Sequence, residues 1–211
     1  MKLLALFRMT IDHVGLMLYP QTLALRYVGR LSFPLFAYLL VLGMSNTHDL
    51  AKYLKRMLIF AFISQLPYAI ANEIPISQKL NIFFTLSLGI ILIFLQERNN
   101  ILFIAPLIAS LILPIEYGAY GLATILFLNI MMSFKRTGIA LLITLNLLII
   151  PFGASYQPLA LLSLPLILIH SSGKLNTIHL KISSHSAITK YLFYSYYPIH
   201  LIALSLIRSI A

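Results

Sequence analysis

The sequence predicts an all-α protein, a polytopic bundle of transmembrane helices, and three observations lead to this prediction. The chain is 60% apolar and 9% charged, with a mean hydropathy of +0.94, whereas a soluble domain carries about 25% charged residues. Apolar stretches recur along its 211 residues, and a spanning helix needs roughly 17 to 25 of them. The few charged residues and the long apolar stretches exclude a soluble enzyme and a disordered protein, and the absence of cysteine excludes a secreted disulfide scaffold.

Nine apolar segments are predicted to span the membrane, with eight or ten as the alternatives. Polar breaks rich in Asn, Glu and Pro separate them. The first segment imitates a signal peptide, but Arg8, Asp12 and His13 interrupt it and no cleavage site follows, so we expect a true span. We also expect a single domain over residues 1–211. The predicted spans are 3–20, 31–45, 54–72, 80–96, 101–114, 118–133, 137–151, 156–170 and 188–209.

The distribution of Lys and Arg predicts a cytoplasmic N-terminus and an external C-terminus. With nine alternating spans, ten of these cations fall on the N-terminal side and four on the other, as the positive-inside rule expects. Removing one span would place Lys174 and Lys181 outside. Topology therefore explains the net charge of +10, and we expect no nucleic-acid partner. The basic groups at 52–56 and 135–136 suit the phosphates of a nucleotide-like cofactor, but topology alone accounts for them.

Ionisable side chains inside the first and last spans are the main candidates for chemistry. Such a group costs roughly 2.5–3.5 kcal/mol at the bilayer centre and marks function by default. Asp12 and His13 are adjacent near the middle of the first span, where a base or a proton relay needs a carboxylate and an imidazole. The alternative is that Arg8, one turn earlier, pairs with Asp12. His200 follows Pro198 in the last span, where the missing backbone donor opens the helix.

Two further charged residues lie near the external ends of the spans. Arg30 follows Gly29 at the entry to the second span, where it serves either anion or carbonyl recognition or interfacial snorkelling. Glu116 precedes Tyr117 and two glycines that permit a tight turn or a close helix approach. Glu116 is a candidate for binding an amine or for pairing with Arg30, and solvation in a loop is the alternative.

Polar uncharged residues inside the spans are candidates either for substrate binding or for hydrogen bonds that join helices. Gln65, and Asn81 with Thr85 one turn later, are candidate substrate ligands, although most such groups join helices by hydrogen bonds. The six histidines are scattered, and no metal-ligand spacing or glycine-rich phosphate loop occurs. No metal is therefore expected.

Six motifs, in order from about residue 9 to 204, resemble the TraX family over nearly the whole chain. The first two are Ile11-Asp12-His13-Val14-Gly15, and Leu25 to Gly29-Arg30 leading into Ser32-Phe33-Pro34. The others are Ile63-Ser64-Gln65-Leu66-Pro67-Tyr68, Asn81-Ile82-Phe83-Phe84-Thr85, Glu116-Tyr117-Gly118-Ala119-Tyr120-Gly121 and Tyr197-Pro198-Ile199-His200-Leu201.

The resemblance implies a multipass membrane acetyltransferase, remotely similar to the acyltransferases that move acyl groups across membranes. In the name-bearing relative the acceptor is the amino terminus of F pilin. It implies acetyl-CoA on the cytoplasmic side of the inner membrane and an acceptor amine or hydroxyl, on a pilin-like peptide or a glycan, within or beyond the bilayer. The family's acid before a Tyr-Gly pair corresponds to Glu116 here.

These expectations fit the candidate residues. His13, oriented or charge-balanced by Asp12, is the expected base, Arg30 or Tyr197 stabilises developing charge, and His200 contacts the thioester or acts as an acid. Both direct transfer and an acetyl-histidine intermediate are compatible with this set. A small proton-coupled transporter, with Asp12, His13 and His200 as a proton relay, is the rival interpretation, and a structural assembly factor is the third.

Overall fold

The computed structural model describes residues 1–153, 156–173 and 187–210, and every regular element in them is a helix. The all-α prediction is therefore confirmed for this part of the chain. The α-helices are α1 Lys2–Met17, α2 Leu23–Gly29, α3 Ser32–Ser45, α4 Leu50–Asn72, α5 Ile82–Glu97, α6 Ile104–Ile112, α7 Gly118–Ser133, α8 Lys135–Leu148, α9 Leu164–Ser171 and α10 Ala187–Ile210. Short 3-10 helices at Ile101–Phe103, Ile150–Phe152 and Gln157–Ser163 adjoin α6, α8 and α9.

Helix occurs in each of the nine segments predicted as spans. Three stretches in the described residues are long and apolar enough to cross a membrane by themselves: Leu23–Ser45, Leu50–Asn72 and Lys135–Phe152. The first contains α2, which the sequence analysis treated as a loop. The segments 101–114, 137–151 and 156–170 are α-helical only in part, because each includes a 3-10 turn.

The outer surface of the bundle is apolar, as a lipid environment requires. Large side chains such as Phe62, Leu111, Ile112 and Phe152 are at least 70% exposed. Water would penalise this surface strongly, whereas lipid tails do not. The surface and the long apolar helices together are consistent with a multipass membrane protein.

Helix α3 lies at the centre of the bundle and carries much of its core. Phe33, Leu35, Tyr38 and Val41 are each at most 2% exposed, and they belong to one apolar cluster shared with α1, α4, α5, α7 and α10. Around this centre, α1 packs on α2 and α10, α10 packs on α4, and α7 packs on α8. The first and last helices are therefore neighbours.

Two sets of polar contacts hold one end of the bundle together. The loops before α5 and α7 pair as a single bridge: the Leu80 N–H donates to the Pro114 carbonyl at 2.8 Å, and the Glu116 N–H donates to the Leu80 carbonyl at 2.9 Å. Arg208, in the last turn of α10, forms a 3.0 Å ion pair with Glu73 and donates to the Ala71 carbonyl at 3.1 Å. It thereby satisfies a carbonyl that the end of α4 leaves free.

Candidate functional site

The central feature of the site is a pair of buried histidines from the two ends of the chain. Nδ1 of His13 on α1 and Nε2 of His200 on α10 are 2.9 Å apart, which is a hydrogen bond. The two residues are only 8% and 6% exposed. The structure thus brings together two residues that are separated by 187 positions in the sequence.

The surroundings of His200 determine which nitrogen carries each proton. Its Nδ1 lies 2.8 Å from the Tyr196 carbonyl oxygen, which only accepts, so Nδ1 carries a hydrogen. With both rings neutral, Nε2 of His200 then accepts from Nδ1 of His13. The remaining nitrogen of His13, Nε2, keeps a free lone pair, as a base or nucleophile requires.

Two residues outside the predicted site, Thr10 and Tyr196, support this arrangement. The Tyr196 ring stacks on His200 with centroids 5.2 Å apart, and its hydroxyl is 2.6 Å from Thr10 Oγ1 on α1. Tyr196 thereby holds His200 against α1, the helix that carries His13. The sequence signal that could have identified Tyr196 is its spacing, because it lies one helical turn before His200.

Asp12 belongs to a different cluster from the one the sequence suggested. Its Oδ1 is 2.8 Å from Nη1 of Arg26 and 3.9 Å from Nη2 of Arg30, and Arg26 also donates to the Asp12 backbone carbonyl at 3.1 Å. The alternative that Asp12 pairs with Arg8 is wrong. The expectation that Asp12 orients His13 is corrected too, since the described hydrogen bond to that ring comes from His200.

A close helix approach places Asp12 between its two arginines. Helix α2 folds back along α1, and a Cβ added at Gly29 would lie 2.1 Å from the Asp12 carboxylate. Only glycine at this position lets the carboxylate lie against α2. Arg8 lies elsewhere, in the wall of an apolar groove of about 440 Å³ between α1, α2 and the segment before α9.

Gln65 and Asn81 form a network that holds the loop before α5. The Gln65 amide donates to the carbonyls of Ile76 and Lys79 at 2.7 and 2.8 Å, and its oxygen accepts from the Asn81 side chain at 2.9 Å. Asn81 also donates to the Ala61 carbonyl at 2.7 Å and caps α5 by accepting from the Phe83 N–H. Both amide NH2 groups are therefore engaged within the protein, as expected of groups that join helices.

The other predicted ligands, Thr85, Glu116, Tyr117 and Tyr197, lie close to this network. Thr85 donates to the Glu116 carbonyl, and Tyr117 stacks on Phe33 with ring centroids 4.1 Å apart. Tyr197 is 4% exposed, and its ring centroid lies 6.2 Å from that of His13. This tyrosine therefore lies beside the histidine pair and against Phe83 of α5.

Glu116 lies in the loop between α6 and α7, among groups of both charges. Burial raises the pKa of its carboxyl to about 7, the Lys79 ammonium opposes this rise, and the Asp12 carboxylate adds to it. In the described chain no cation lies within ion-pair distance of Glu116, so the suggested pair with Arg30 does not form. No group of three His, Asp or Glu side chains suitable for a metal occurs in these residues either.

The comparisons with known proteins agree with the resemblance seen in the motifs. The sequence model of the family described as TraX protein matches residues 1–208. A protein of Dichelobacter nodosus, named "Probable fimbrial assembly protein FimC, serogroup H1", is 28% identical over 229 residues, covering 95% of this chain and 91% of its own length.

A second relative, "Uncharacterized protein RP591" of Rickettsia prowazekii (strain Madrid E), is 38% identical over 66 residues, 31% of this chain and 25% of its own. No solved structure matches the chain. The family match includes both histidines and all but the last two residues of α10, so the chain belongs to the TraX family.

Proposed function

We propose that the protein is a multipass acetyltransferase of the inner membrane. It transfers an acetyl group from cytoplasmic acetyl-CoA to an amine or hydroxyl of an envelope or extracytoplasmic acceptor. The observation that carries this proposal is the buried His13–His200 hydrogen bond, which leaves one imidazole nitrogen free as a base. Family membership, and a relative named for fimbrial assembly, support a pilin-like peptide as the acceptor, with a glycan as the other candidate.

The proposed transfer needs a proton acceptor and a stabiliser of the oxyanion. Acetyl-CoA supplies an activated acyl carbon. For an amine acceptor, the N–C bond forms as the C–S bond breaks, Nε2 of His13 takes the amine proton, and the same proton passes to the released thiolate. His200, fixed by the Tyr196 carbonyl, holds the His13 ring and shares its charge. In this scheme Asp12 acts on the arginines rather than on His13.

Residues on the external side are proposed to bind the acceptor and the developing charge. Arg30 contacts Asp12 only at 3.9 Å, whereas Arg26 does so at 2.8 Å, so Arg30 retains donors for an oxyanion. Glu116, with Tyr117 and Tyr197 nearby, is proposed to bind an acceptor ammonium when its carboxyl is ionised. Gln65, Asn81 and Thr85 then act by shaping the loop that carries these groups.

The proposed orientation has nine spans, a cytoplasmic N-terminus and an external C-terminus, within one domain over residues 1–211. His13 lies eleven residues into α1, about 17 Å along the helix axis, and is thus nearer the external end. A reporter that works only in the cytoplasm should be active when fused after Lys55 or Lys135 and inactive after Ala211. Activity after Ala211 would contradict an odd number of spans.

Acetyl transfer by histidine variants tests the function. The assay supplies radiolabelled acetyl-CoA to the solubilised protein together with an envelope fraction from cells that lack it. His13→Ala and the more conservative His13→Gln should each lower transfer by about 10²–10⁴-fold, the usual contribution of a general base. His48→Ala, in the exposed loop before α4, is the matched control and should retain full activity.

Two outcomes of this assay would contradict the proposal. Full activity of folded His13→Gln would remove the proposed base. Failure of the wild-type protein to bind or consume acetyl-CoA, together with proton uptake that depends on His13 and His200, would favour the proton-coupled transporter instead. Melting temperature, measured for each variant, separates loss of chemistry from loss of fold.

A further inference from the structure

Arg56 is a half-buried cation without a counter-ion. It lies in the second turn of α4, its guanidinium is 5.7 Å from the centroid of the Tyr53 ring, and its Nε has no hydrogen-bond partner. All five acidic side chains lie in the described residues, and none of them is within ion-pair distance of Arg56. A guanidinium in this setting has unused donors for an anion.

Lysine side chains near Arg56 add positive charge, and few acidic side chains lie close enough to neutralise it. Lys52 and Lys55 are exposed on the same end of α4, and only Lys52 has an acidic partner, Asp49, at 3.0 Å. On the adjacent helices, the Lys2 ammonium lies 5.7 Å from the centroid of the Phe193 ring. Among the side chains that the structure describes, the proposed cytoplasmic ends of α1, α4 and α10 thus present four cations and one carboxylate.

The position of Arg56 is not explained by the positive-inside rule alone. The positive-inside rule asks for charge in solvent at the end of a helix, and Lys55 meets that description. Arg56 is instead half-buried beside the aromatic side chains of Tyr53 and Tyr194 at the α4–α10 interface. Tyr194 is six residues before His200 on α10, about 9 Å along the helix. The cation therefore lies on the same helix interface as the histidine pair.

We infer that Arg56, with Lys52 and Lys55, binds the phosphate groups of the acyl donor's nucleotide half. This inference rests on the proposed function, because it names where acetyl-CoA would be held. A guanidinium donates two parallel hydrogen bonds to the oxygens of one phosphate. The flanking lysines attract the phosphate as point charges and need no particular orientation. The donor's phosphates would then stay at the proposed cytoplasmic surface, at the N-terminal end of α4.

Binding of CoA to the full-length protein tests the inference without relying on activity. Calorimetry in neutral-lipid nanodiscs should show that Arg56→Gln weakens CoA binding about ten- to a hundredfold, the effect of losing a charge-assisted hydrogen bond. Arg56→Lys should recover part of that loss. Arg8→Gln is the matched control, because Arg8 is also half-buried with an unpartnered Nε but faces the apolar groove. Its CoA affinity should be unchanged.

The salt dependence of binding separates a phosphate contact from a structural role. Wild-type affinity should fall as salt rises, and the slope should be smaller in Arg56→Gln and in the exposed double variant Lys52→Gln/Lys55→Gln. The double variant also tests the inference if Arg56→Gln does not fold. Normal CoA affinity and salt slope in these variants would overturn the inference and leave the acetyltransferase proposal intact. Absence of CoA binding by the wild-type protein would overturn both.

Discussion

Substitution of Gly29 by alanine should destabilise the protein through the contact between α2 and Asp12. The added Cβ would lie 2.1 Å from the Asp12 carboxylate and 2.4 Å from its Cβ, so the side chain cannot simply rotate away. Overpacking typically costs about 1–3 kcal/mol, and breaking a buried ion pair costs about 3–5 kcal/mol. The Asp12 and Arg26 side chains are 12% and 25% exposed, so solvent reduces the second cost. We expect a total loss of about 3 kcal/mol.

This loss is measurable as a change in melting temperature. For a chain of this size, 1 kcal/mol corresponds to about 2–4 °C, so Gly29→Ala should melt about 6–12 °C below the wild type. Because the sequence has no Trp, fluorescence-detected size exclusion of a fused reporter after heating is the suitable assay. Gly89→Ala is the control, since its nearest neighbour is the end of the flexible Ile125 side chain at 2.6 Å. Equal melting of the two variants would refute the packing argument.

Two further predictions concern the loops that precede α5 and α7. The raised pKa of Glu116, about 7, means that the folded chain holds this proton more tightly than the unfolded chain. Stability relative to Glu116→Gln should therefore fall by about 3 kcal/mol as the pH rises from about 4.5 to about 7. A pH-independent difference in melting temperature would contradict this assignment. Asn81→Ala removes a fully buried helix cap and the bond to Gln65, and should cost about 2–4 kcal/mol in thermal or denaturant unfolding. Asn100→Ala, an exposed cap before α6, should cost about 1 kcal/mol or less, and similar losses for the two would count against the network.

The sequence allowed the helical segments and the candidate histidines to be selected, because both follow from local patterns. Apolar runs bounded by polar breaks locate helix in each of nine segments, and an ionisable residue inside such a run is conspicuous wherever it occurs. His13 and His200 were selected on this ground alone. That the two residues share one site was expected from the chemistry assigned to them, but hydropathy alone could not predict the direct contact of the two rings, because it gives the length of a helix and not its neighbours.

The partner of Asp12 shows where local reasoning fails. Helical spacing made Arg8 the natural partner, since residues four apart share a face. The actual partners, Arg26 and Arg30, reach Asp12 because α2 forms a helical hairpin with α1, and the residues that permit this are glycines at the contact. Gly15 and Gly29 were visible in the sequence, but a glycine alone does not say which helix it allows to approach.

The location of the histidine pair also has a consequence for biosynthesis. His200 lies on α10, so the pair cannot form until nearly the whole chain has been synthesised and its final helix inserted. Closing a loop of 187 residues costs about 5 kcal/mol of chain entropy, which the contacts of α10 with α1 and α4 must offset. A nascent chain that stops before α10 would hold His13 without its partner. Under the proposed function, catalytic competence would then arise only at the last step of assembly, and incomplete chains would remain inert in the membrane.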